Sequence, residues 1–378
     1  MLSVNGRVEL WRIRWHGAQE GSSTPMDLLL DEAEATISQG ERELCCRINQ
    51  SSASFEKTAE NLRRAAQLSL SKELVREVVE AEGKAVLRAA EAGSLRPVWK
   101  SEDCRVESGR TRVYLGCDGV KVPLITEEEK QKRREKVQQK RRLRNQEGEP
   151  LPPAKRGSDN AYREFRVAVF YDESQEHCHV AVTRGNHESA GRLMQRESDR
   201  LGMHRADDKV GNVDGAPWIR NEIELHGLVD ALGLDFYHLS ENVHKARRAV
   251  FGEESEEGQQ WAGELMHCFK HVGDQAGWQR WAEWRAGIRG TSKREAADAL
   301  LHYVAERREM IRYPEFLAWG WQIGSGPTEA QCKTTTMRVK GSGKRWDADN
   351  AEAVMAIACL QNSQAWDKYW LTLDPQRN

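Results

Sequence analysis

The sequence contains no run of about 18 apolar residues, which a membrane-spanning helix would need. The first six residues lack a basic stretch followed by an apolar one, so we expect no signal peptide and a cytoplasmic location. Neither sign of charge dominates, since 57 Lys and Arg residues face 59 Asp and Glu residues and the formal net charge is -2. Overall charge therefore does not indicate a nucleic-acid-binding protein, and any such binding must come from local patches.

Cysteine pairs of the kind that bind zinc are also absent. No C-x-x-C spacing occurs among the eight cysteines, which are Cys45, Cys46, Cys104, Cys117, Cys178, Cys268, Cys332 and Cys359. The pattern does not support a structural zinc site, and disulfide bonds are not expected in the cytosol. With 378 residues the chain is long enough for two or three domains, one of them with a sizeable core.

Glu329 stands at a predicted helix start. The stretch 324–330 reads GSGPTEA, in which Ser325 or Gly326 can cap a helix and Pro327 suits its first turn. An acidic residue in a first turn is commonly explained by the helix dipole alone. A functional interpretation of Glu329 therefore depends on what the fold places beside it.

Two Asp-Gly dipeptides lie far upstream of this helix. Asp118 belongs to a strand predicted over 112–120, and Asp214 follows a weaker apolar run that contains Gly211 and Asn212. An Asp-Gly pair taken alone is usually a turn. Three carboxylates at strand ends and a helix start are nevertheless what a divalent-metal site for phosphoryl transfer requires.

The predicted elements around the two aspartates fit an α/β sheet. Strands over 166–171 and 179–182 form a hairpin and pair with the 112–120 strand as an antiparallel meander. The elements predicted next are a helix over 189–201, the strand before Asp214, a helix over 217–232, a short strand over 234–239, and later helices over 327–340 and 349–360. This order is the layout of a ribonuclease H-like α/β core with a mixed five-stranded sheet.

The N-terminal part reads as two segments. Residues 36–105 are predicted to be helical, with a break at 68–71. Two helices joined by a short serine-containing connection predict either a DNA-binding helix-turn-helix or a plain helical hairpin that packs on the next domain. Residues 1–35 form a short β-rich segment, in which one strand carries Val8, Leu10, Trp11, Ile13 and Trp15 before a loop ending at Pro25.

Two insertions interrupt the predicted core, which spans 106–250 and 318–362 before a packing tail at 363–378. Residues 126–160 are dense in Lys and Arg and then in Pro, so they are predicted to form a basic, solvated and mobile insertion that either solubilises the protein or contacts phosphate. Residues 251–317 read as an amphipathic helical insertion. Its tryptophans favour a packing role, with stacking on unpaired bases as the alternative: Trp261, Trp278, Trp281 and Trp284.

Such a fold would bring Asp118, Asp214 and Glu329 to one edge of the sheet. Because clustered carboxylates repel each other, the site makes sense only with bound cations. Hard oxygen ligands select Mg²⁺ or Mn²⁺, and two ions about 4 Å apart can bridge a scissile phosphate. The glycines that follow the two aspartates are expected to keep the rim open for a nucleic-acid backbone.

Further polar residues are candidates for the same site. Asp235 and His238 form a D-x-x-H unit at a predicted strand end, although a lone His238 would be read as a partly buried structural histidine. The residues after Glu329 that could grip DNA phosphates, or simply solvate a surface, are Lys333, Arg338, Lys340, Lys344, Arg345 and Trp346.

Six short motifs in combination resemble a known family. They are CDGV at 117–120, DGAPWI at 214–219, DFYH at 235–238, GSGPTEA at 324–330, RVKGSGKRW at 338–346 and WDKYW at 366–370. Over about residues 4–370 the chain resembles bacterial insertion-sequence transposases of the DDE class, and it is most similar to their ISKra and ISLre groups.

The resemblance implies a ribonuclease H-like catalytic domain with a helical insertion between the second Asp and the Glu. It implies an acid triad of Asp118, Asp214 and Glu329 with two Mg²⁺ or Mn²⁺ ions, and it matches Asp235 and His238 to a C/D-x-x-H motif that supports the site. The implied reaction is hydrolytic cleavage of DNA at the element ends, followed by transesterification of the 3'-hydroxyl into target DNA. The implied partners are the terminal inverted repeats, the target DNA and further copies of the chain that synapse two ends.

The sequence departs from the family at its start. Family members usually carry an N-terminal zinc-ribbon-like segment with paired cysteines, whereas this sequence begins at a segment similar to its G-R-V-x-L-x-R sequel. Recognition of DNA ends is therefore expected to be impaired, or the reading frame to be truncated. Two other functions stay open, namely a non-catalytic DNA-binding remnant and a nuclease of the same fold without strand transfer.

Overall fold

The structure is a computed structural model that describes residues 1–4, 6–9, 11, 13–17, 21–24, 37–144, 151, 153 and 156–372. Parts of four predicted segments lie outside these residues: 5, 10, 12, 18–20 and 25–35 of the N-terminal segment, 36 of the helical region, 145–150, 152 and 154–155 of the basic insertion, and 373–378 of the tail. Leu10 of the predicted N-terminal strand and Pro25 at the end of its loop are among them. No helix in the described ranges is long and apolar enough to cross a bilayer.

The N-terminal segment forms two short hairpins, so the prediction of one continuous strand there is wrong. Strands β1 (Leu2–Ser3) and β2 (Gly6–Arg7) pair with each other, as do β3 (Trp15–Gly17) and β4 (Gly21–Ser23). The described residues that suggested a strand are exposed, among them Trp11 at 89% and Ile13 at 74%. Because these described side chains are exposed, no core face is present against which one continuous alternating strand could pack.

Three helices follow, each capped by a serine: α1 (Gln39–Ser51), α2 (Phe55–Ala65) and α3 (Lys72–Ala92). Helix α3 packs closely on a C-terminal helix, α13 (Ala348–Asn362), because a Cβ atom at Gly83 would lie 2.2 Å from the carbonyl oxygen of Ala353. The second helix of the predicted pair is thus docked through its buried face, as a helical hairpin packing on the next domain requires.

Glu41 on α1 predicts a pH dependence of stability. Its side chain is fully buried, and this burial raises its pKa from 4.5 to about 7, against a weak opposing contact from the Cys45 thiol at 3.7 Å. Because the folded-state pKa exceeds the unfolded value, the stability contributed by the neutral carboxyl is complete below pH 4.5 and is lost as the pH rises towards 7.

The variant Glu41→Gln should therefore gain stability relative to the wild type as the pH rises, by up to about 3 kcal/mol between the two pKa values. Urea unfolding of both proteins across this pH interval measures the difference. A constant difference at all pH values would contradict the assignment.

The central sheet has five strands: β5 (Arg112–Pro123), β6 (Tyr162–Tyr171), β7 (Cys178–Thr183), β8 (Asp208–Val213) and β9 (Ala231–Leu234). Their order is β7-β6-β5-β8-β9, with β5, β6 and β7 antiparallel and β5, β8 and β9 parallel. The predicted mixed five-stranded α/β sheet is confirmed. The weak strand before Asp214 forms because β8 is an internal strand, and its Gly211 and Asn212 are buried between β5 and β9.

Between or directly after these strands along the chain come α4 (Glu127–Leu143), α5 (His187–Leu201), α6 (Pro217–His226) and α7 (Phe236–Phe251). The prediction of a helix to residue 232 and a strand over 234–239 is wrong. Gly227, at φ 58°, ends α6 in the left-handed conformation. The Asp235 carboxylate then accepts from the backbone N–H groups of Tyr237 and His238, which begins α7 one residue after β9.

After α7 the described chain continues with further helices: α8 (Glu256–His267), α9 (Asp274–Gly287), α10 (Thr291–Ala305), α11 (Tyr313–Ala318), α12 (Gly326–Thr336), α13 and α14 (Trp366–Thr372). The tryptophans of the predicted helical insertion pack inward, with Trp261 and Trp284 stacked at a centroid distance of 3.9 Å. The packing role predicted for the tail is also confirmed, because Trp366 and Trp370 are buried. Helix α12 ends four residues earlier than predicted, after three successive threonines that disfavour a further turn.

Candidate active site

Asp118 and Asp214 lie opposite each other on neighbouring parallel strands. Asp118 is in the middle of β5, and Asp214 comes directly after β8. Leu115 pairs with Gly211 in this ladder, so continuing the same register by three residues sets Asp118 opposite Asp214. The sheet thus places side by side two carboxylates that are 96 positions apart in the chain.

The electrostatics of the pair fit this proximity. Burial raises the pKa of Asp118 above its ordinary value, and the negative charge of Asp214 raises it further. The N–H of Gly119 donates to Asp118 Oδ1 at 2.6 Å and the N–H of Ala216 donates to Asp214 Oδ1 at 2.9 Å, so each carboxylate keeps a second oxygen for another partner. The site therefore concentrates negative charge that these backbone donors offset only in part.

Helix α12 brings Glu329 over the same strand. A Cβ atom at Gly116 would lie 1.8 Å from Thr328 Oγ1, so the helix touches β5 where only glycine fits. Gly116 and Asp118 share one face of β5, since successive side chains alternate. One turn after Thr328, burial raises the pKa of the Cys332 thiol and the charge of Asp118 raises it further. Asp118 therefore lies beneath the helix that carries Glu329.

The buried Asp235 carboxylate links the N-terminus of α7 to that of α12 through hydrogen bonds. Its Oδ1 accepts from the N–H groups of Tyr237 at 2.6 Å and His238 at 3.0 Å, and its Oδ2 accepts from the Ser325 hydroxyl at 2.6 Å and from the Ser325 N–H. Ser325 Oγ in turn lies 3.3 Å from Glu329 Oε1. Burial alone would raise the pKa of Asp235, but the interactions with His238 and Ser325 outweigh it and lower that pKa.

His238 contributes positive charge to the cluster. Its Nδ1 lies 3.5 Å from Asp235 Oδ1, and the interaction with this carboxylate, reinforced by the charge of Asp214, raises the pKa of His238 to about 9. Ligand atoms of Asp235, His238 and Glu329 lie within 4.8 Å of one another. Because Asp235 already accepts four hydrogen bonds from Tyr237, His238 and Ser325, we interpret Asp235 and its neighbour His238 as residues that position the site.

Sequence reasoning missed the neighbours that close the site. Arg307, from the helical part of the chain, donates from Nε to the carbonyl oxygen of Gly215 at 3.0 Å and from Nη1 to the carbonyl oxygen of Tyr303. Burial raises the pKa of Tyr303 to about 12, and the charge of Asp214 adds to the effect although Arg307 opposes it. These residues lie about 90 positions from Asp214 and follow no local pattern, so only the docking of α10 could reveal them.

The expectation that glycines keep the rim open is wrong. A Cβ atom at Gly119 would lie 2.7 Å from the Glu164 carboxyl carbon, and one at Gly215 would lie 2.6 Å from Arg307 Nε. At both positions a neighbouring side chain occupies the space beside the glycine, and at Gly215 the φ of 81° also favours glycine. Glu164 adds a further negative charge that raises the pKa of Asp118, after burial and Asp214.

The chain matches no protein-family model and no curated protein. Its site is therefore interpreted from its own geometry.

The predicted DNA-contacting residues divide into two groups. Lys333 and Lys340 are exposed and Lys344 and Arg345 are half-buried, so their ammonium and guanidinium groups remain accessible. Arg338 and Trp346 are buried, at 3% and 7% exposure, so they do not lie on the open surface, and their contact with DNA stays a prediction. The Arg338 guanidinium stacks on Phe55 and on Trp346, whose indole N–H donates to the Val339 carbonyl oxygen.

Proposed function

We propose that this chain is a DDE transposase with a ribonuclease H-like core, which cleaves DNA at the ends of a mobile element and joins it to target DNA. The observation that carries the proposal is the placement of Asp118 and Asp214 on the neighbouring strands β5 and β8, with α12, which carries Glu329, packed on β5. Asp118 comes from the middle of β5, Asp214 from the end of β8 and Glu329 from the first turn of α12. The strand order β7-β6-β5-β8-β9, three antiparallel then two parallel, supports the ribonuclease H-like assignment.

The donor set fits a divalent metal. Asp118, Asp214 and Glu329 offer hard carboxylate oxygens, which suit Mg²⁺ or Mn²⁺. Among the described residues, the hydrogen bonds to Asp118 and Asp214 come from backbone N–H groups. Such ions, when bound, promote attack of a hydroxyl on a phosphodiester and stabilise the leaving oxygen.

The remaining residues hold this arrangement in place. Asp235 fixes the Ser325 turn and with it the start of α12, which sets the position of Glu329. His238 lies with its Nδ1 3.5 Å from Asp235 Oδ1 and keeps a ring nitrogen beside this acidic cluster. Arg307 holds the Gly215 backbone and so orients the loop that carries Asp214.

A cleavage and joining assay tests the proposal. The full chain is incubated with Mg²⁺, labelled terminal-repeat DNA and a target plasmid, and both nicked and joined products are measured. Cleavage together with joined products supports the transposase. Cleavage without joining indicates a nuclease, and binding without cleavage at any Mg²⁺ or Mn²⁺ concentration indicates a DNA-binding remnant; either result would sink the proposal.

Removal of the Arg307 side chain should slow cleavage without weakening DNA binding. In Arg307→Ala the Gly215 carbonyl loses its donor and the Asp214 loop loses its tether, and a displacement on the order of 1 Å can lower a rate by about 100-fold. Single-turnover cleavage and DNA affinity are measured side by side. The matched control is Arg308→Ala, whose side chain pairs with Asp274 on the surface and should leave both quantities unchanged. Equal effects of the two substitutions would argue against the positioning role.

A further inference from the structure

A cleft between the N-terminal helices and the loop before α13 is rich in positive charge. It has a volume of about 370 Å³ and is bordered by the first turn of α2, by α3, by α4 and by residues 343–347. Five cations line it: Arg76, Arg133, Arg338, Lys344 and Arg345. Two carboxylates also line it, Glu80 and Asp347. We call this the basic cleft.

Arg338 is the deepest of these cations. Its residue exposure is 3%, its guanidinium stacks on the rings of Phe55 and Trp346, and its Nε donates to Asn49 Oδ1 at 3.1 Å. No carboxylate in the described parts of the chain forms an ion pair with it, and burial lowers its pKa to about 10. A buried cation with only a neutral hydrogen-bond partner is costly, so a bound anion would stabilise it.

Lys344 adds a second cation to the same wall. Its ammonium donates to the Arg338 carbonyl oxygen at 2.9 Å, and burial, followed by the charge of Arg338, lowers its pKa. Some of the charge around the cleft is compensated, because Glu129 pairs with Arg345 at 3.5 Å, Glu77 with Arg76 at 3.8 Å and Asp347 with Lys130 at 2.5 Å. Within the described residues, neither Arg338 nor Lys344 forms an ion pair with a carboxylate. Like charges are thus held together in a partly desolvated recess, which is the arrangement of an anion-binding site.

The first turn of α2 strengthens the positive potential. Ser54 and Phe55 line the cleft and mark the N-terminus of this 11-residue helix. The Lys57 N–H is capped by Ser54 Oγ at 3.1 Å. The positive end of the helix dipole nevertheless borders the cleft and favours an anion there.

We propose that the basic cleft holds a backbone phosphate of duplex DNA, with Arg76 and Arg133 as its exposed contact residues. An extended polyanion fits better than a small one, because α4 has no buried residue and carries exposed Lys136 and Lys140 beyond Arg133. A duplex seated in the cleft could follow this helix, whereas a free phosphate would use only the cleft. The choice of DNA rests on the proposed function.

The test measures the salt dependence of DNA binding without divalent metal, so that no cleavage is involved. Each cation that contacts a phosphate contributes about 0.9 to the slope of log affinity against log salt. The double variant Arg76→Ala/Arg133→Ala should lower the magnitude of this slope by about 1.8. Both side chains are exposed, so the variant should fold, which its thermal unfolding checks.

A matched control removes two arginines at the other end of β5. Arg105 and Arg110 are exposed and precede that strand, and Asp208 keeps Arg112 as a partner when Arg110 is lost. The variant Arg105→Ala/Arg110→Ala should leave the slope unchanged. An unchanged slope in the cleft variant, or an equal fall in the control, would overturn the proposal.

A second arm uses inorganic phosphate alone. If phosphate at matched ionic strength raises the unfolding temperature of the wild type but not of the cleft variant, while the DNA slope is unaffected, the cleft holds a free anion and the DNA assignment is wrong. If the cleft variant lowers the slope but the wild-type protein never cleaves DNA, the proposal for the basic cleft stands and the transposase proposal is rejected. Absence of DNA binding by the wild type would reject both.

Discussion

Asp118→Asn is expected to abolish metal-dependent DNA cleavage, with a rate loss on the order of 1,000-fold, equivalent to about 4 kcal/mol of transition-state stabilisation. The amide is nearly isosteric with the carboxylate but offers one neutral oxygen, so it would hold a divalent cation poorly. Asp214→Asn and Glu329→Gln should behave alike, because under the proposed function the three carboxylates would hold the same ions.

The same substitution should not harm the metal-free fold. Burial and the charge of Asp214 raise the pKa of Asp118, so its negative charge opposes folding when no cation is present. Asp118→Asn is therefore expected to unfold at an equal or higher temperature than the wild type without metal. Loss of activity together with retained stability and DNA binding separates a catalytic role from a structural one.

Asp230→Asn is the matched control. Asp230 is exposed and pairs with Lys209 near the start of β8, at the end of the strand remote from Asp214. Its replacement makes the same chemical change outside the site and should leave the cleavage rate unaltered. Wild-type cleavage by Asp118→Asn would refute the assignment of this residue.

Gly116→Ala is expected to destabilise the protein and to slow cleavage together. The added methyl group would lie 1.8 Å from Thr328 Oγ1, so α12 must move away from β5. Overpacking of this kind costs about 1–3 kcal/mol, and the displacement would carry Glu329 away from Asp118. Urea unfolding and single-turnover cleavage measure the two effects.

Two further variants make the Gly116 result specific. Gly263→Ala on α8 is the control, because a Cβ atom there meets no atom within 4 Å and alanine favours a helix by about 1 kcal/mol. It should be neutral or stabilising. Thr328→Ala removes the hydroxyl group with which the methyl group added by Gly116→Ala would clash. The double variant should therefore lose less stability than the two single variants lose in sum. Additive losses would show that the contact does not set the position of α12.

The sequence predicted the parts of the sheet whose signals are local. Alternating apolar residues identified β5, β6 and β7, and the Asp-Gly and Gly-Pro-Thr-Glu motifs identified the positions of Asp118, Asp214 and Glu329 on their elements. It misplaced β9, because the apolar run 234–239 is equally compatible with a strand and with the helix that Asp235 caps. Short apolar runs carry no period that distinguishes the two.

The environment of each side chain was decided by tertiary structure. Arg338 and Trp346 belong to a basic motif that reads as surface, yet they are buried against Phe55, which lies almost 300 positions away. Arg307 reads as a solvated residue of an amphipathic helix, yet it holds the loop of Asp214. The sequence by itself determined which residues form these strands and where the carboxylates lie on their elements, because strand periodicity and helix caps are encoded within a few residues. Only the packing of distant elements decided what surrounds them, because contacts such as α12 on β5 depend on shapes that no local pattern records.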